Sequence, residues 1–245
     1  YVKKLPMIKT TEGIFAPWAF YKKDFQEIKG HDPLYAPQSK EDSDIFNRFQ
    51  LNGIKFIQTW EGFVYHMTCR GSRFADGAKR NPDGQVFMKN RETDEWLKQN
   101  NKSTREFLRK WGHFCKHDSL MKPIVPPKYD IGFILKNCTL KHLELLEPWC
   151  STIYVNNDRL NYIHSEQPNT SFDLEERVKP FDNEKNNNIL IGIDGNTFGN
   201  EDFSYIQLMS EILQDSSEIG KFELGNLTIE VVQLNTYEKE LIKLN

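Results

Sequence analysis

The second half of the chain carries the sequence pattern that most narrows its fold. From residue 130 onward, the strand-like run DIGFILKN is followed by the helix-like TLKHLELLEPW and by a second strand-like run, STIYVNN. After a polar stretch, predicted to be loop or partly helix, the order repeats with NILIGIDG, EDFSYIQLMSEILQDS and KFELGNLTIEVVQL, the last a bent strand or a hairpin. Strands that alternate with helices indicate an α/β fold. Strand, helix and strand occurring twice favour a small split βαβ, or ferredoxin-like, module.

A proline-rich segment separates this pattern from the first half of the chain. The segment LMKPIVPPKYD, residues 120–130, contains three prolines. Each proline lacks a backbone donor and biases the residue before it away from helix, so regular structure is not expected to run through the segment. The segment predicts a boundary between one part over residues 1–122 and a small α/β module over residues 123–245.

The first half mixes short helices and strands, so the whole chain is predicted to be α/β or α+β. FAPWAFYKKDFQEIKG predicts a short strand and a helical turn that Gly30 ends. SKEDSDIFNRFQLNG predicts a helix with Ser39 as N-cap and Asp42 in a capping box. IKFIQTWEGFVYHMT is rich in β-branched and aromatic residues, which favour strands. Two further helices are predicted, ETDEWLKQNN and STREFLRKWGHFCKHDSLM, the second capped by Ser103.

Composition excludes several classes of protein. With 38% hydrophobic and 27% charged residues the chain is globular rather than disordered. A formal net charge of -3 argues against a general nucleic-acid binder. The 4 cysteines have no CxxC spacing, which fits the reduced thiols of a cytoplasmic protein better than disulfides or a zinc ribbon. No apolar run approaches the roughly 18 residues that span a bilayer, and no signal peptide is evident.

The acids in SKEDSDIFNRFQLNG have two interpretations. In the first, Glu41, Asp42 and Asp44 cap the helix and complement its dipole, which local features favour. In the second, one of them is a general base. A helix N-terminus lowers a carboxylate pKa, so that role needs a partner or burial to raise the pKa again.

Neighbouring motifs favour the second interpretation. The glycine loop IKGHDPLYAPQ leads into the acids, and a helix and a hydrophobic strand lead from them to VYHMTCRGSR. The run from WAFYKKDFQEIKGHD through EDSDIFNRFQLNGIKFIQTWEGFVYH resembles the second half of a family 2 glycosyltransferase domain of the GT-A fold. The resemblance covers residues 13–75 and rests on the order and spacing of the loop, the acid pair, the helix, the strand and a single histidine.

The resemblance implies roles on the acceptor side. Asp42 corresponds to the general base that deprotonates an acceptor hydroxyl. Glu41 or Asp44 corresponds to a residue that holds the acceptor or orients the loop. Trp18 and His31 correspond to the border of the acceptor pocket.

The resemblance also implies a donor side. His66 corresponds to a histidine that helps bind a divalent metal, Mn²⁺ or Mg²⁺, on the diphosphate of a nucleotide sugar. Arg70 and Arg73 correspond to a basic loop that closes over the diphosphate, which the planar fork of arginine binds well. Taken alone, His66 would be a hydrogen-bonding histidine at a strand end and the arginines a solvated loop. The implied partners are a nucleotide-sugar donor and a carbohydrate or other hydroxyl acceptor.

The sequence departs from that family in its donor-binding half. The opening βαβ units and the strand-end DxD motif are expected before Tyr1, so the chain is expected to be a fragment of a longer enzyme. The DSD at residues 42–44 opens a helix and is not counted as that motif. The competing hypothesis is a non-catalytic binding or interaction protein that retains a partial GT-A-like fold. A metal hydrolase that uses the acids and His66 ranks last, because a second ligand cluster is missing.

Other candidate sites are weaker. His113 and His117 are spaced one helical turn apart, as in some metal sites, but a solvent-facing helix is the better interpretation. Asp194 and Gly195 end a predicted strand, where a turn is more common than a site. The downstream module otherwise has no motif that predicts chemistry, and a docking or accessory role is only an analogy between folds.

Overall fold

The structure, a computed structural model, describes residues 10–11, 18–37, 39–59, 79–80, 86–87 and 94–244. Short helices and two-residue strands form the part before the proline-rich segment. The helical segments are α1 (Lys22–Glu27), a 3₁₀ turn (Pro33–Tyr35), α2 (Glu41–Leu51) and α3 (Asp94–Trp111). The antiparallel strand pairs are β1 (Thr10–Thr11) with β2 (Gln58–Thr59), β3 (Lys79–Arg80) with β4 (Val86–Phe87), and β5 (Lys116–His117) with β6 (Pro123–Ile124).

Helix α2 begins at Glu41, and Ser39 does not cap it. The N-cap is Lys40, which has a left-handed backbone with φ 76 and no side-chain bond to the helix. The hydroxyl of Ser39 instead donates to Asn100 Oδ1 of α3 at 2.6 Å. The predicted capping box is therefore wrong, because Ser39 ties the start of α2 to another helix. The acids still occupy the first turn of α2, where they complement the helix dipole.

Helix α3 is one continuous helix where the sequence predicted two. It runs through Ser103, which is 0% exposed and accepts a hydrogen bond from Gln99 Nε2 at 2.9 Å. The predicted N-cap at Ser103 is wrong because this small side chain is packed within the helix. The helix ends before Gly112, whose φ of 77 suits a glycine after a C-terminus.

The module after the proline-rich segment is built on one six-stranded sheet. Its strands are β7 (Ile131–Lys136), β8 (Thr152–Val155), β9 (Val178–Pro180), β10 (Ile189–Asp194), β11 (Gly220–Leu224) and β12 (Leu227–Val231). Its helices are α4 (Leu140–Leu146), α5 (Arg159–Glu166), α6 (Leu174–Arg177), α7 (Asn200–Gln207) and α8 (Met209–Ser216). The α/β class that the sequence predicted is confirmed.

The strand order is not the ferredoxin-like one. The order is β11-β12-β10-β7-β8-β9; β10, β7, β8 and β9 are parallel, and β12 is antiparallel to both of its neighbours. Because β7 and β8 are direct neighbours, no strand splits the first βαβ unit. The polar stretch after residue 157 contains α5, α6 and β9, and its polarity concealed the strand that extends the parallel edge. The hairpin of β11 and β12 agrees with the prediction.

The apolar core lies on one face of this sheet. In β10, Ile189, Ile191 and Ile193 are buried, and the residues between them are half-buried. Strand register places Phe133 beside Ile191, and Leu143 of α4 belongs to the same buried cluster. We call the opposite face the open face. It carries Ile134, Lys136, Leu190, Gly192, Asp194, Thr228 and Glu230.

Helix α3 packs against both parts of the chain. Phe107 and Trp111 form a buried cluster with Tyr35, whereas Leu108 belongs to the core of the sheet. The C-terminal 3₁₀ segment Glu238–Ile242 also returns to pack on α2. Contacts therefore cross the predicted boundary at residues 122–123. The division of the chain into two domains stays a prediction.

Two expectations from composition can be compared with the described residues. Among the described residues, Cys115, Cys138 and Cys150 are free. Burial raises the pKa of Cys138 to about 11 and that of Cys150 to about 12, so both thiols stay protonated at neutral pH. In the described part of the chain, every helix is too short or too polar to cross a membrane.

Candidate functional site

Two of the predicted acceptor-side residues, Trp18 and His31, lie close to each other beside α2. The ring of Trp18 lies 6.5 Å from the ring of His31 and 5.2 Å from that of Phe46, measured between ring centres. Because Phe46 follows Asp42 by four residues on α2, their side chains share a face of the helix. We call Trp18, His31, Glu41 and Asp42 the acid surface.

The two acids of this surface differ in their environment. The side chain of Asp42 is exposed, whereas that of Glu41 is half-buried. Among the described atoms, Oε2 of Glu41 is buried without a hydrogen-bond partner. A buried acceptor without a donor costs about 1–3 kcal/mol, and such an atom calls for a water or ligand as its partner. The pair thus combines one accessible carboxylate with one oxygen in need of a donor.

Beneath the acid surface, Asp44 is fully buried among hydrogen-bond donors. Arg48 Nε donates to its Oδ2 at 2.7 Å, and Lys110 Nζ and Trp111 Nε1 donate to its Oδ1 at 2.6 and 2.9 Å. The hydroxyl of Tyr35 donates to Oδ1 at 3.3 Å. Burial and the carboxylates of Asp44 and Asp32 raise the pKa of Tyr35, so its hydroxyl keeps the proton that it donates.

These contacts extend to the loop that carries His31. Lys110 Nζ also bonds Asp32 Oδ2 at 2.8 Å, and Arg48 Nη1 donates to the carbonyl oxygen of Ile28 at 2.7 Å. We call Asp32, Tyr35, Asp44, Arg48, Lys110 and Trp111 the Asp44 cluster. Two carboxylates balance two cations within it, which buried charges require. The cluster therefore fixes the His31 loop relative to the acids of α2.

Asp44 has a structural part in this arrangement. Its exposed fraction is 0% and its oxygens already accept four hydrogen bonds. A molecule in solution has no access to Asp44 in this conformation. Contact of Asp44 with an acceptor stays a prediction, and Glu41 is the more accessible second carboxylate.

The predicted donor-side residues lie outside the described residues. His66, Arg70 and Arg73 belong to residues 60–78, which the structure does not describe. Where side chains are described, no group of three or more His, Cys, Asp or Glu residues is placed to hold a metal ion. Asp32 and Asp44 are already joined by Lys110. The described residues alone do not fit the expected metal, and the chemistry assigned to Asp42 does not depend on one.

His113 and His117 do not form the helical pair that their spacing suggested, because α3 ends before both of them. His117 is exposed on β5, whereas His113 is buried and its Nδ1 is 2.7 Å from the carbonyl oxygen of Phe114. Burial lowers the pKa of His113 to about 4, with Lys128 and Lys116 acting in the same direction and the Phe114 bond opposing them. His113 is a neutral core residue.

A second buried ion cluster joins α3 to the downstream module. Glu147 Oε2 accepts from Arg109 Nη2 and from the Tyr162 hydroxyl, both at 2.7 Å. Its Oε1 accepts from Arg177 Nε at 2.6 Å. Burial would raise the pKa of Glu147, but Arg177 and Arg109 outweigh it and bring that pKa down to about 2. Glu147 is therefore charged at neutral pH.

The same cluster includes two more acids and one more arginine. Glu106 pairs with Arg109 at 2.7 Å, and Glu166 pairs with Arg109 at 2.6 Å and with Arg105 at 2.8 Å. We call Arg105, Glu106, Arg109, Glu147, Tyr162, Glu166 and Arg177 the Glu147 cluster. The sequence analysis missed it, because its members are spread over four helical segments and the bonds described for the Glu147 side chain all come from other segments.

Asp194 and Gly195 form a turn, as predicted, at the carboxyl end of β10. Asp194 Oδ1 accepts from the backbone N–H of Asn196 at 2.9 Å, which closes the turn, and from Asn137 Nδ2 at 3.0 Å. The second bond, to the end of β7, is the part that the sequence did not predict.

Comparison with known proteins assigns no function to the chain. No family model matches the chain, and searches of the curated proteins and of the solved structures return no significant match.

Proposed function

We propose that the chain is the acceptor-side part of a glycosyltransferase, which transfers a sugar from a nucleotide-diphosphate donor to an acceptor hydroxyl. Residues 1–122 would then belong to a GT-A-like domain. The observation that carries the proposal is the acid surface, where an exposed Asp42 and a half-buried Glu41 begin the helix on which Trp18 packs through Phe46. The contacts predicted for His66, Arg70, Arg73 and a divalent metal remain predictions.

The acids suit the chemistry of the acceptor. Glycosyl transfer needs a base that takes the proton of the attacking hydroxyl, and a carboxylate accessible to solvent can reach that proton. Asp42 is the accessible one. Glu41 is half-buried, and its oxygen other than the buried Oε2 can accept a second hydroxyl of the same acceptor and so orient it.

The aromatic residues suit a sugar acceptor. Trp18 is half-buried and contacts Phe46, which follows Asp42 by one helical turn on the same face of α2. Aromatic rings present an apolar face on which the C–H groups of a sugar ring can pack. The Asp44 cluster supports this arrangement, since it fixes the loop of His31 and the helix of Asp42 together.

The test is Asp42→Asn in the complete enzyme. Transfer to the acceptor should fall by roughly 10²–10⁴-fold, the usual contribution of a general base. The free energy of unfolding should hardly change, because Asp42 is exposed. Glu41→Gln should mainly raise the KM for the acceptor, and Glu27→Gln, an exposed acid on α1, is the matched control.

The assay follows release of nucleoside diphosphate with a panel of sugar nucleotides and hydroxyl acceptors. Unchanged turnover in Asp42→Asn would remove Asp42 as the base. Carbohydrate binding by a wild-type protein that transfers no sugar from any donor would favour the non-catalytic binding protein instead.

A further inference from the structure

The sheet of the downstream module reverses its strand order between β7 and β10. From β7 the chain continues to β8 and β9 on one side, and from β10 it continues to β11 and β12 on the other. In open α/β sheets, ligands bind outside the carboxyl ends of the strands at such a reversal. Here those ends are Lys136 of β7 and Asp194 of β10, which are register partners on the open face.

The two strand ends are held together by their backbones. The N–H of Gly195 donates to the carbonyl oxygen of Lys136 at 2.9 Å. A Cβ at position 195 would lie 2.5 Å from the carbonyl oxygen of Asn137, so only glycine permits this approach. The polar groups at the reversal therefore have fixed positions, as a binding site requires.

Asp194 has a free oxygen at this edge. Both of the side-chain bonds described for it, from Asn137 and from the N–H of Asn196, use Oδ1. Within the described residues, Oδ2 accepts no hydrogen bond. The Asn196 N–H, the Asn137 amide and the nearby Lys136 lower the pKa of Asp194, so the carboxylate is charged at neutral pH.

A groove of about 680 Å³ extends from these strand ends along the open face, a volume typical of small-molecule sites. Its floor includes Ile134, Leu190 and Gly192, which are apolar or lack a side chain. Asn226 and Thr228 line it together with the charged residues Lys136, Asp194, Lys221, Glu223 and Glu230. A Cβ at Gly192 would collide with the Thr228 hydroxyl, so glycine lets that hydroxyl lie over the floor.

We propose that this groove binds a nucleotide. A carboxylate with a free oxygen accepts hydrogen bonds from the hydroxyls of a ribose, as acids at strand ends do in other nucleotide-binding sheets. The ammonium group of Lys136, beside Asp194, attracts a phosphate. The apolar floor beyond Asp194 accepts a flat base. A nucleotide combines these three chemical groups in one small molecule.

This site is separate from the acid surface and does not rest on the proposed glycosyltransferase function. Its residues lie on β7, β10, β11, β12 and the turn between the last two strands, whereas the acid surface belongs to α2 and the segments that precede it. Asp42→Asn should therefore leave nucleotide binding at the groove unchanged. The glycosyltransferase proposal and the nucleotide-binding proposal can therefore fail independently of each other.

The experiment is isothermal titration calorimetry of the full chain with nucleoside diphosphates that carry each of the common bases. Lys136→Met is the main variant, because its exposed side chain has no hydrogen bond in the described part of the fold. It should weaken nucleotide affinity by roughly 10-fold, as loss of a charged hydrogen bond does. Asp194→Asn should weaken binding similarly, and Lys98→Met and Asp215→Asn, both exposed elsewhere, should bind as the wild type does.

Titrations with inorganic phosphate and with free ribose test the phosphate contacts and the sugar contacts separately. Each should bind much more weakly than a nucleotide. The proposal is overturned if no nucleotide binds at millimolar concentration, or if Lys136→Met binds as tightly as the wild type. It is also overturned if inorganic phosphate alone binds as tightly as the nucleotides, since the site would then recognise only an anion.

Discussion

The Asp44 cluster and the Glu147 cluster share helix α3 but are built differently. In the first, α3 supplies Lys110 and Trp111 to one carboxylate that also receives a guanidinium and a phenol. In the second, α3 supplies two arginines and one glutamate to a group of three carboxylates and three guanidinium groups. The first orders a loop beside the acid surface. The second joins the two parts of the chain.

The difference lies in what remains when the central acid is lost. Without Asp44, Lys110 still has Asp32 at 2.8 Å and Arg48 still has the carbonyl of Ile28 at 2.7 Å. Without Glu147, Arg177 likewise keeps backbone carbonyl oxygens, but four hydrogen bonds from Arg109 and Arg177 are lost, against two from Arg48 and Lys110 when Asp44 is lost. A buried cation without its carboxylate is strongly destabilising. The cluster between the parts should therefore be the more sensitive of the two.

The largest effect is expected for Glu147→Gln. The variant keeps the shape of the side chain but removes the charge that balances Arg109 and Arg177, so the free energy of unfolding should fall by about 3–5 kcal/mol. Urea unfolding at pH 7 measures this loss. Glu176→Gln is the matched control, because Glu176 is 76% exposed in its pair with Lys179 and should lose at most about 1 kcal/mol. Equal losses in the two variants would contradict the role of the Glu147 cluster.

A smaller effect is expected for Asp44→Asn. Asp44 accepts only two hydrogen bonds from cations and Lys110 keeps Asp32, so the loss should be about 2–3 kcal/mol, the cost of hydrogen bonds to a charged group. Backbone hydrogen exchange should rise in residues 29–37, because Lys110 then holds the loop through Asp32 alone. A loss larger than that of Glu147→Gln would reverse the comparison. Unchanged exchange in the loop would show that the Asp44 cluster does not order the acid surface.

The elements that sequence predicted well are those with strong local patterns. The apolar runs of β7, β8 and β10 are strands, and Gly30 ends the turn of helix α1 as its position suggested. The failures have long-range causes. Serine is a common N-cap residue, yet packing buries Ser103 inside α3. Strand β9 has three residues, one of them a proline, so only its parallel pairing with β8 identifies it as a strand.

The candidate site divides in the same way. The motifs around Glu41 and Asp42 are local, so the sequence could single them out and could also interpret them as a helix start. The burial of Asp44 depends on Lys110 and Trp111, which are 66 and 67 residues away along the chain. No periodicity or spacing in a single sequence indicates that contact. The same limit applied to Glu147 and Arg109, which are 38 residues apart.

A third effect concerns pH and separates the two regions by the range in which each responds. The folded pKa of His113 is about 4, below the 6.5 of a free histidine, so the unfolded chain binds a proton that the fold does not. Stability should therefore fall as the pH drops from 6.5 toward 4, by at most about 1.4 kcal/mol per pH unit for one group. For Glu147, with a folded pKa of about 2 against 4.5, the loss should begin only near pH 4.5 and continue toward pH 2.

Urea unfolding at a series of pH values distinguishes the two groups. His113→Phe should flatten the dependence between pH 6.5 and 4.5, because a phenylalanine ring can pack in the same core and cannot take up a proton. Glu147→Gln should flatten only the dependence below pH 4.5. If His113→Phe keeps the full slope above pH 4.5, another group titrates there. Stability between pH 6.5 and 4.5 would then no longer report on the end of α3 next to the Asp44 cluster. Only stability below pH 4.5, where Glu147 titrates, would test the comparison.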